Sequence, residues 1–136
     1  MFDRFPITAV LPASDLARAK AWYRDTLGLI PSSEDPGGLW YQVAEGTRFL
    51  VTPSQHAGTA QNTAVSWTVS DIESVMPTLR ERGVVFEEYD MGEGYKTVNG
   101  LLDVEGYRAA WFKDSEGNIL EISEPPPSSA GGENPW

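Results

Sequence analysis

The chain has 136 residues, carries a formal net charge of −10 and contains no cysteine. This length gives room for one compact domain but not for two, and a hydrophobic content of 40% with a charged content of 22% is typical of globular proteins. The negative charge repels phosphate and anionic lipid, so we expect neither nucleic acid nor membrane as a partner, and the missing thiols exclude disulfides, cysteine nucleophiles and cysteine-ligated metals.

The N-terminal residues show no basic segment followed by an apolar run, which a secretory signal would need. No stretch of the chain approaches the ~20 apolar residues of a membrane helix. We therefore expect a cytoplasmic protein.

An internal repeat at an offset of 56 residues organises the chain. Residues 8–16 (TAVLPASDL) align with residues 64–72 (AVSWTVSDI), and each copy predicts an apolar strand whose Ser-Asp ending opens a helix. Ser14 and Ser70 are the predicted N-caps, because their hydroxyls can accept from the free amides of the first helical turn. Asp15 and Asp71 would then lie at the positive end of each helix dipole.

The two predicted helices carry apolar residues at helical spacing. In the first helix these are Leu16, Ala19, Tyr23 and Leu27, with Gly28 as the C-terminal stop. In the second they are Ile72, Val75, Met76 and Leu79, with Gly83 as the stop. Because Pro77 removes an interior hydrogen bond, the second helix either kinks there or becomes regular only near Ser74, with Pro77 in its first turn.

Strand-like segments follow each helix and are separated by turn signals rich in Gly, Pro, Asp and Asn. They cover residues 39–43, 48–52, 84–89, 107–112 and 118–123. Residues 91–105 contain three glycines and predict a flexible loop with at most one irregular strand. From residue 124 onward the run EPPPSSAGGENPW predicts a flexible tail rather than a packed element.

Two copies of a strand, a capped helix and further strands resemble the paired βαβββ modules of the vicinal oxygen chelate superfamily, which includes glyoxalase I, bleomycin-resistance proteins and extradiol dioxygenases. The motifs that carry the resemblance are SDLARAKAWYRDTLGL and FKDSEGNILEISEP. The second is close to the family's ending F-x-D-P-x-G-N-x-x-E, with Ser115 where proline is usual.

The resemblance implies an α+β fold in which two tandem βαβββ modules form a curved mixed sheet with the helices on the outside. One domain would then cover residues 1–124, with module one at about 5–56, module two at about 62–124 and a flexible tail at 125–136. It also implies a homodimer.

Metal enzymes of the family carry one His, Glu or Gln ligand at each of four cleft-facing strand positions. In this chain those positions fall on Thr8, Ala64, Glu121 and either Leu50 or Thr52. A single carboxylate does not make a specific transition-metal site, so we expect no metal and no cofactor. The only histidine, His56, lies in a polar loop and is interpreted as an exposed residue rather than a ligand.

Strand alternation predicts which side chains face the cleft. In the opening strand, the residues assigned to the helix side are Ile7, Ala9, Leu11 and Ala13, and those assigned to the cleft are Thr8, Val10 and Pro12. In its repeat, Trp67 is assigned to the core and Ser66 to the cleft. The predicted ligand-binding residues are Trp40, Gln42, Tyr95, Tyr107, Trp111 and Glu121, although these aromatics would equally suit a dimer interface or the sheet core.

These residues favour a binding protein that captures an aromatic or cationic small molecule, since aromatic walls stack on such ligands and a carboxylate pairs with an amine. Bleomycin-resistance members of the superfamily resemble this picture. The alternative is a metal-dependent lyase, isomerase or dioxygenase that uses Glu121 with other ligands. A third possibility is metal-free acid–base catalysis by Glu121. No catalytic residue is assigned, and the ligand's identity is not encoded in any motif.

Overall fold

The computed structural model describes residues 1–127. The chain divides into two compact units. The first contains Met1–Ala64 together with Asp114–Asn118, and the second contains Val65–Lys113 and the residues from Ile119 onward. Within residues 1–127, each unit has one α-helix and one sheet.

The first unit is built on a mixed four-stranded sheet. Its elements are β1 (Ala9–Ala13), α1 (Leu16–Leu27), β2 (Ser33–Asp35), β3 (Gly38–Gln42) and β4 (Arg48–Pro53), with short 3-10 helices at Phe2–Arg4 and Ala44–Gly46. The strand order is β1-β4-β3-β2, in which β1 runs parallel to β4 and the other pairs are antiparallel.

Helix α1 packs on one face of this sheet through Tyr23. The Tyr23 ring lies 5.4 Å from the ring of Tyr41 on β3 and 5.8 Å from the ring of Phe49 on β4, measured between centroids. All three rings are buried, as are Leu11 and Val51 beside them. Burial of this apolar set is the main source of the unit's stability. Because side chains alternate along a strand, Trp40 and Leu50 lie on the face turned away from α1.

The second unit repeats the arrangement. Its elements are β5 (Thr63–Thr68), α2 (Ile72–Glu81), β6 (Leu102–Val104), β7 (Tyr107–Lys113) and β8 (Ile119–Glu124), in the sheet order β5-β8-β7-β6. Helix α2 contacts β8, and the Ile72 amide donates to Glu124 at 2.8 Å. Leu120 and Ile122 alternate with Glu121 and are buried with Glu124 on the helix side of β8.

The two units confirm the predicted α+β fold of tandem βαβββ modules. In both sheets the first strand of the module pairs with the fourth, and the third lies between the fourth and the second. Helices α1 and α2 begin at Leu16 and Ile72, at the same offset as the sequence repeat.

The predicted helix caps are wrong by one residue. Asp15, not Ser14, is the N-cap of α1, and its side chain accepts from the Arg18 amide. Asp71, not Ser70, is the N-cap of α2, and it makes no side-chain cap bond. Carboxylates from distant parts of each unit take the free amides instead, Glu116 at α1 and Glu124 at α2. Sequence spacing alone does not reveal such tertiary caps.

Three further predictions need correction. The extended segment 84–89 is not a strand, because the Tyr89 amide and carbonyl pair with Thr97 in the following loop and only Glu87 donates to β7, at Trp111 O. Ile7 precedes β1 and is 91% exposed, so it is not a core residue. Helix α2 includes Pro77 in its interior, which rules out a start near Ser74.

Two segments complete the comparison with the sequence. Strand β2 was not predicted, because its last residue, Asp35, begins the turn sequence Asp-Pro-Gly-Gly. Strand β6 is the one irregular strand expected in the loop 91–105. Of the predicted tail, residues 128–136 lie outside the described part of the chain.

Candidate functional site

In the second unit, three of the predicted residues share the sheet face turned away from α2. Trp111 on β7 pairs directly across from Glu121 on β8, and Tyr107 lies on the same face of β7. Ser66 on β5 meets Ser123 on β8 at 3.3 Å between hydroxyls, which places Ser66 on this face as predicted. Trp67 consequently lies on the helix side, where it is half-buried.

Tyr107 and Glu121 interact electrostatically on this face. Burial raises the pKa of Tyr107 above its ordinary value, and the Glu121 carboxylate raises it further through its charge and through the bond it accepts. The phenol therefore stays protonated at neutral pH. In the part of the chain that the structure describes, no Lys or Arg forms an ion pair with Glu121, whose side chain is half-buried.

Trp111 is more enclosed than an open ligand wall would be. It exposes 8% of its surface and packs with Leu102, Ala109 and Ile119 in a small apolar cluster. Its ring meets Tyr89 edge-on at 5.6 Å between centroids. Trp111 thus supports the face on which Tyr107 and Glu121 stand, and little of its ring is accessible while these neighbours stay in place.

Tyr95 lies in the turn bounded by the Asp90–Lys96 bridge. Its amide donates to Gly92 O at 2.9 Å, and the residue is 52% exposed. The tyrosine is therefore accessible, and its contact with a ligand stays a prediction.

In the first unit, Trp40 and Gln42 share the sheet face turned away from α1. Trp40 pairs with Leu50, and Gln42 pairs with Arg48. The Trp40 indole donates to Asp35 at 3.0 Å, and the Arg48 guanidinium lies over the indole ring at 5.3 Å from its centroid. Trp40 is thus held between an acid at its ring nitrogen and a cation at its face.

The four positions that would hold a metal carry few donors. Thr8 accepts a hydrogen bond from Arg48 Nε at 3.1 Å, Ala64 is exposed on β5, and Leu50 and Thr52 are half-buried on β4. His56 lies in an exposed turn, as predicted. Within residues 1–127, no three His, Asp or Glu side chains come together to hold a metal ion.

Comparison with known proteins settles the family. The model of the Glyoxalase/Bleomycin resistance protein/Dioxygenase superfamily matches residues 7–122. The chain belongs to this superfamily. No curated protein matches it significantly.

Solved structures share the superfamily fold. One is a glyoxalase / bleomycin resistance protein from Catenulispora acidiphila DSM 44928, with 26% identity, 88% of this chain and 97% of that chain covered, and a TM-score of 0.64. A glyoxalase family protein from Enterococcus faecalis has 20% identity, coverage of 91% and 100%, and a TM-score of 0.68. TnmS3, an antibiotic binding protein from Streptomyces sp. CB03234, has 23% identity, coverage of 90% and 98%, and a TM-score of 0.61.

The superfamily's closing motif has a structural role in this chain. Asp114 accepts from the Tyr23 hydroxyl at 2.6 Å and from the amides of Glu116 and Asn118 at 2.9 Å. Glu116 accepts from Arg18 Nε at 2.8 Å and from two amides at the start of α1 at 3.0 Å. The Arg18 bond is the main cause that lowers the pKa of Glu116 to about 2. These buried carboxylates hold the first unit together.

Sequence reasoning missed Arg48 and Asp35, the two charged neighbours of Trp40. The alternation of β4 could have placed Arg48 beside Leu50 on the sheet face turned away from α1. Asp35 gave no such signal, because its turn-forming sequence concealed β2. No helix in residues 1–127 is long and apolar enough to span a bilayer.

Proposed function

We propose that this superfamily member binds an aromatic or cationic small molecule without the help of a metal. The observation that carries the proposal is Glu121, a half-buried carboxylate on an aromatic sheet face that no Lys or Arg of residues 1–127 neutralises. An amine bound there would supply the missing positive charge, and the adjacent Tyr107 ring offers apolar contact to the rest of the ligand.

The metal chemistry found elsewhere in the superfamily does not fit these residues. Thr8 offers a hydroxyl already bonded to Arg48, and Ala64 offers a methyl group. Glu121 is the one strong donor among the four positions, whereas a transition-metal site needs three or four converging ligands.

Six residues are the proposed ligand contacts: Trp40, Gln42, Tyr95, Tyr107, Trp111 and Glu121. Tyr107 and Glu121 are supported by their half-exposed side chains on one sheet face and by their electrostatic interaction. Trp40 is supported by its half-exposed ring beside a cation. The antibiotic-binding activity of TnmS3 supports small-molecule capture as a use of this scaffold.

The proposal is tested by titrating the protein with 2-naphthylmethylamine, an aromatic amine, and with its neutral analogue 2-methylnaphthalene. We expect the amine to raise the melting temperature and to bind more tightly, since stabilisation follows occupancy. Glu121→Gln keeps the size and removes the charge, and it should weaken amine binding by about tenfold, the value of one charge-assisted hydrogen bond. Glu81→Gln, an exposed change on α2, gives the same net charge and should leave the affinity unchanged.

Metal content decides between this proposal and the enzymatic alternative. Inductively coupled plasma mass spectrometry of natively purified protein should find less than stoichiometric transition metal. A stoichiometric metal that Glu121→Gln removes, together with turnover, would instead establish a metal-dependent lyase, isomerase or dioxygenase.

The homodimer and the cytoplasmic location are further proposals, the first from the resemblance and the second from the sequence. Sedimentation equilibrium of the full chain tests the dimer directly, and fractionation of the source cells tests the location.

A further inference from the structure

Two neighbouring rows of side chains cross the sheet face of the first unit that is turned away from α1, and the two rows differ in polarity. The cross-strand pairs Trp40–Leu50 and Leu50–Val10 form an apolar row. The next row begins with the pair Gln42–Arg48 and continues to Thr8, whose hydroxyl accepts from Arg48 Nε at 3.1 Å. An apolar strip therefore lies directly beside a polar strip that carries one cation.

Arg48 is held in position but lacks a counter-ion. Thr8 fixes its Nε, and the Trp40 ring lies under the guanidinium at 5.3 Å from the centroid. Among residues 1–127, no Asp or Glu forms an ion pair with Arg48, although five other Lys and Arg side chains have such partners. With Nε engaged, the two terminal nitrogens form a planar fork that matches a carboxylate.

We propose that this face binds the carboxylate of an aromatic acid, with the acid group on Arg48 and the ring on the strip of Trp40, Leu50 and Val10. Gln42 lies across from Arg48 and is exposed, so its amide can donate to the same acid group. The inference rests on the proposed function only in taking the ligand to be an aromatic small molecule. It adds a chemical class, because the compound must carry an anionic group.

The net charge of −10 does not oppose this assignment. At physiological ionic strength, exposed charges are screened beyond about 8 Å, so only the nearest charges govern a contact made at hydrogen-bond distance. These are the Arg48 guanidinium and the Asp35 carboxylate, which already accepts from the Trp40 indole. The remaining repulsion selects against anions that lack an apolar ring, since these gain nothing from the neighbouring strip.

The test is an NMR titration of the full chain with 2-naphthoate and with 2-naphthamide, its neutral isostere. The Trp40 indole signal, identified with Trp40→Phe, reports binding at this face. We expect naphthoate to bind more tightly than naphthamide and to lose affinity as salt is added. Arg48→Met should weaken naphthoate by about tenfold or more, and Arg48→Lys should weaken it less, because an ammonium keeps the charge but not the fork.

Arg4→Met is the matched control, since it removes one exposed positive charge from the same unit and should leave naphthoate binding unchanged. Equal binding of the acid and the amide, or an unchanged affinity in Arg48→Met, would overturn the inference. Titrating the same variants with 2-naphthylmethylamine separates the two proposals: amine binding that depends on Glu121 would uphold the proposed function even if the aromatic-acid site fails. Naphthoate binding that depends on Arg48, with no role for Glu121 in amine binding, would uphold the aromatic-acid site and count against the proposed function.

Discussion

The buried tyrosines of the first unit allow one substitution to be made at two neighbouring positions with different expected results. Tyr23 and Tyr41 are both almost fully buried, and their rings lie 5.4 Å apart. The Tyr23 hydroxyl donates to Asp114 at 2.6 Å. The Tyr41 hydroxyl is buried and has no hydrogen-bond partner among the described residues. Replacing each tyrosine by phenylalanine removes only the hydroxyl and keeps the packed ring.

The free energies of unfolding should therefore change in different directions. A hydrogen bond to a charged group contributes about 1.5–3 kcal/mol, so Tyr23→Phe should destabilise the protein by that amount. Asp114 keeps the amide donors of Glu116 and Asn118, which prevents a larger loss. Tyr41→Phe removes a buried polar atom whose desolvation costs about 1–3 kcal/mol, so it should leave stability unchanged or increase it.

Urea unfolding followed by circular dichroism at pH 7 measures both variants against the parent chain. Thermal unfolding gives a second measure, because 1 kcal/mol changes Tm by about 3–4 °C in a chain of this size. Tyr23→Phe should therefore lower Tm by roughly 5–10 °C, and Tyr41→Phe should not lower it. The denaturant slope should be the same in all three proteins, because the surface exposed on unfolding hardly changes. Equal losses in the two variants would refute the reasoning, since the hydrogen bond to Asp114 would then not be the cause.

Two further stability predictions follow from the same unit. Because the pKa of Glu116 is lowered from 4.5 to about 2, the unfolded chain binds this proton first as the pH falls. A contribution of about 3 kcal/mol, full above pH 4.5, should therefore be lost as the pH falls to about 2, and Glu116→Gln should flatten the urea-unfolding profile over that range. A Cβ at Gly38 would lie 2.0 Å from Val51 O, whereas one at Gly46 would have no atom within 4 Å. Both glycines have positive φ, so Gly46→Ala should cost about 1–2 kcal/mol and Gly38→Ala clearly more, and thermal unfolding of the pair isolates the clash.

Much of the fold could be predicted from the sequence because local signals agreed with the tertiary structure. The helical stripe that ends at Gly28 gave α1, and the apolar runs gave β3, β4, β7 and β8 within one or two residues. Segment 84–89 was predicted wrongly because an extended backbone becomes a strand only when a neighbouring strand forms a run of hydrogen bonds with it. Here Glu87 donates to Trp111 O on β7, whereas the Tyr89 amide and carbonyl pair with Thr97. Partners of this kind are set by tertiary contacts that strand propensity does not contain.

The candidate site was partly predictable for a related reason. Strand alternation placed Tyr107 and Glu121 on one face, and the register of β7 with β8 agrees with it. Alternation does not say whether a residue is then covered by a neighbouring segment, which is why the sequence left both an exposed and a buried Trp111 open. The cation over Trp40 was missed because Arg48 and Trp40 become neighbours only through the register of β3 and β4.

The closing segment FKDSEGNILE contains both scaffold carboxylates and the proposed ligand contact Glu121, and the structure gives a physical reason for the difference. Asp114 and Glu116 are buried, and several donors from the start of α1 and from the motif itself occupy their oxygens. Groups saturated in this way stabilise the scaffold but have no capacity left for a ligand. Glu121 and Arg48 each lie on the sheet face turned away from the helix of their own unit, so substituting them should leave the core packing intact. The same motif can therefore accompany many ligands, and chemistry must be inferred from the outward-facing alternate positions.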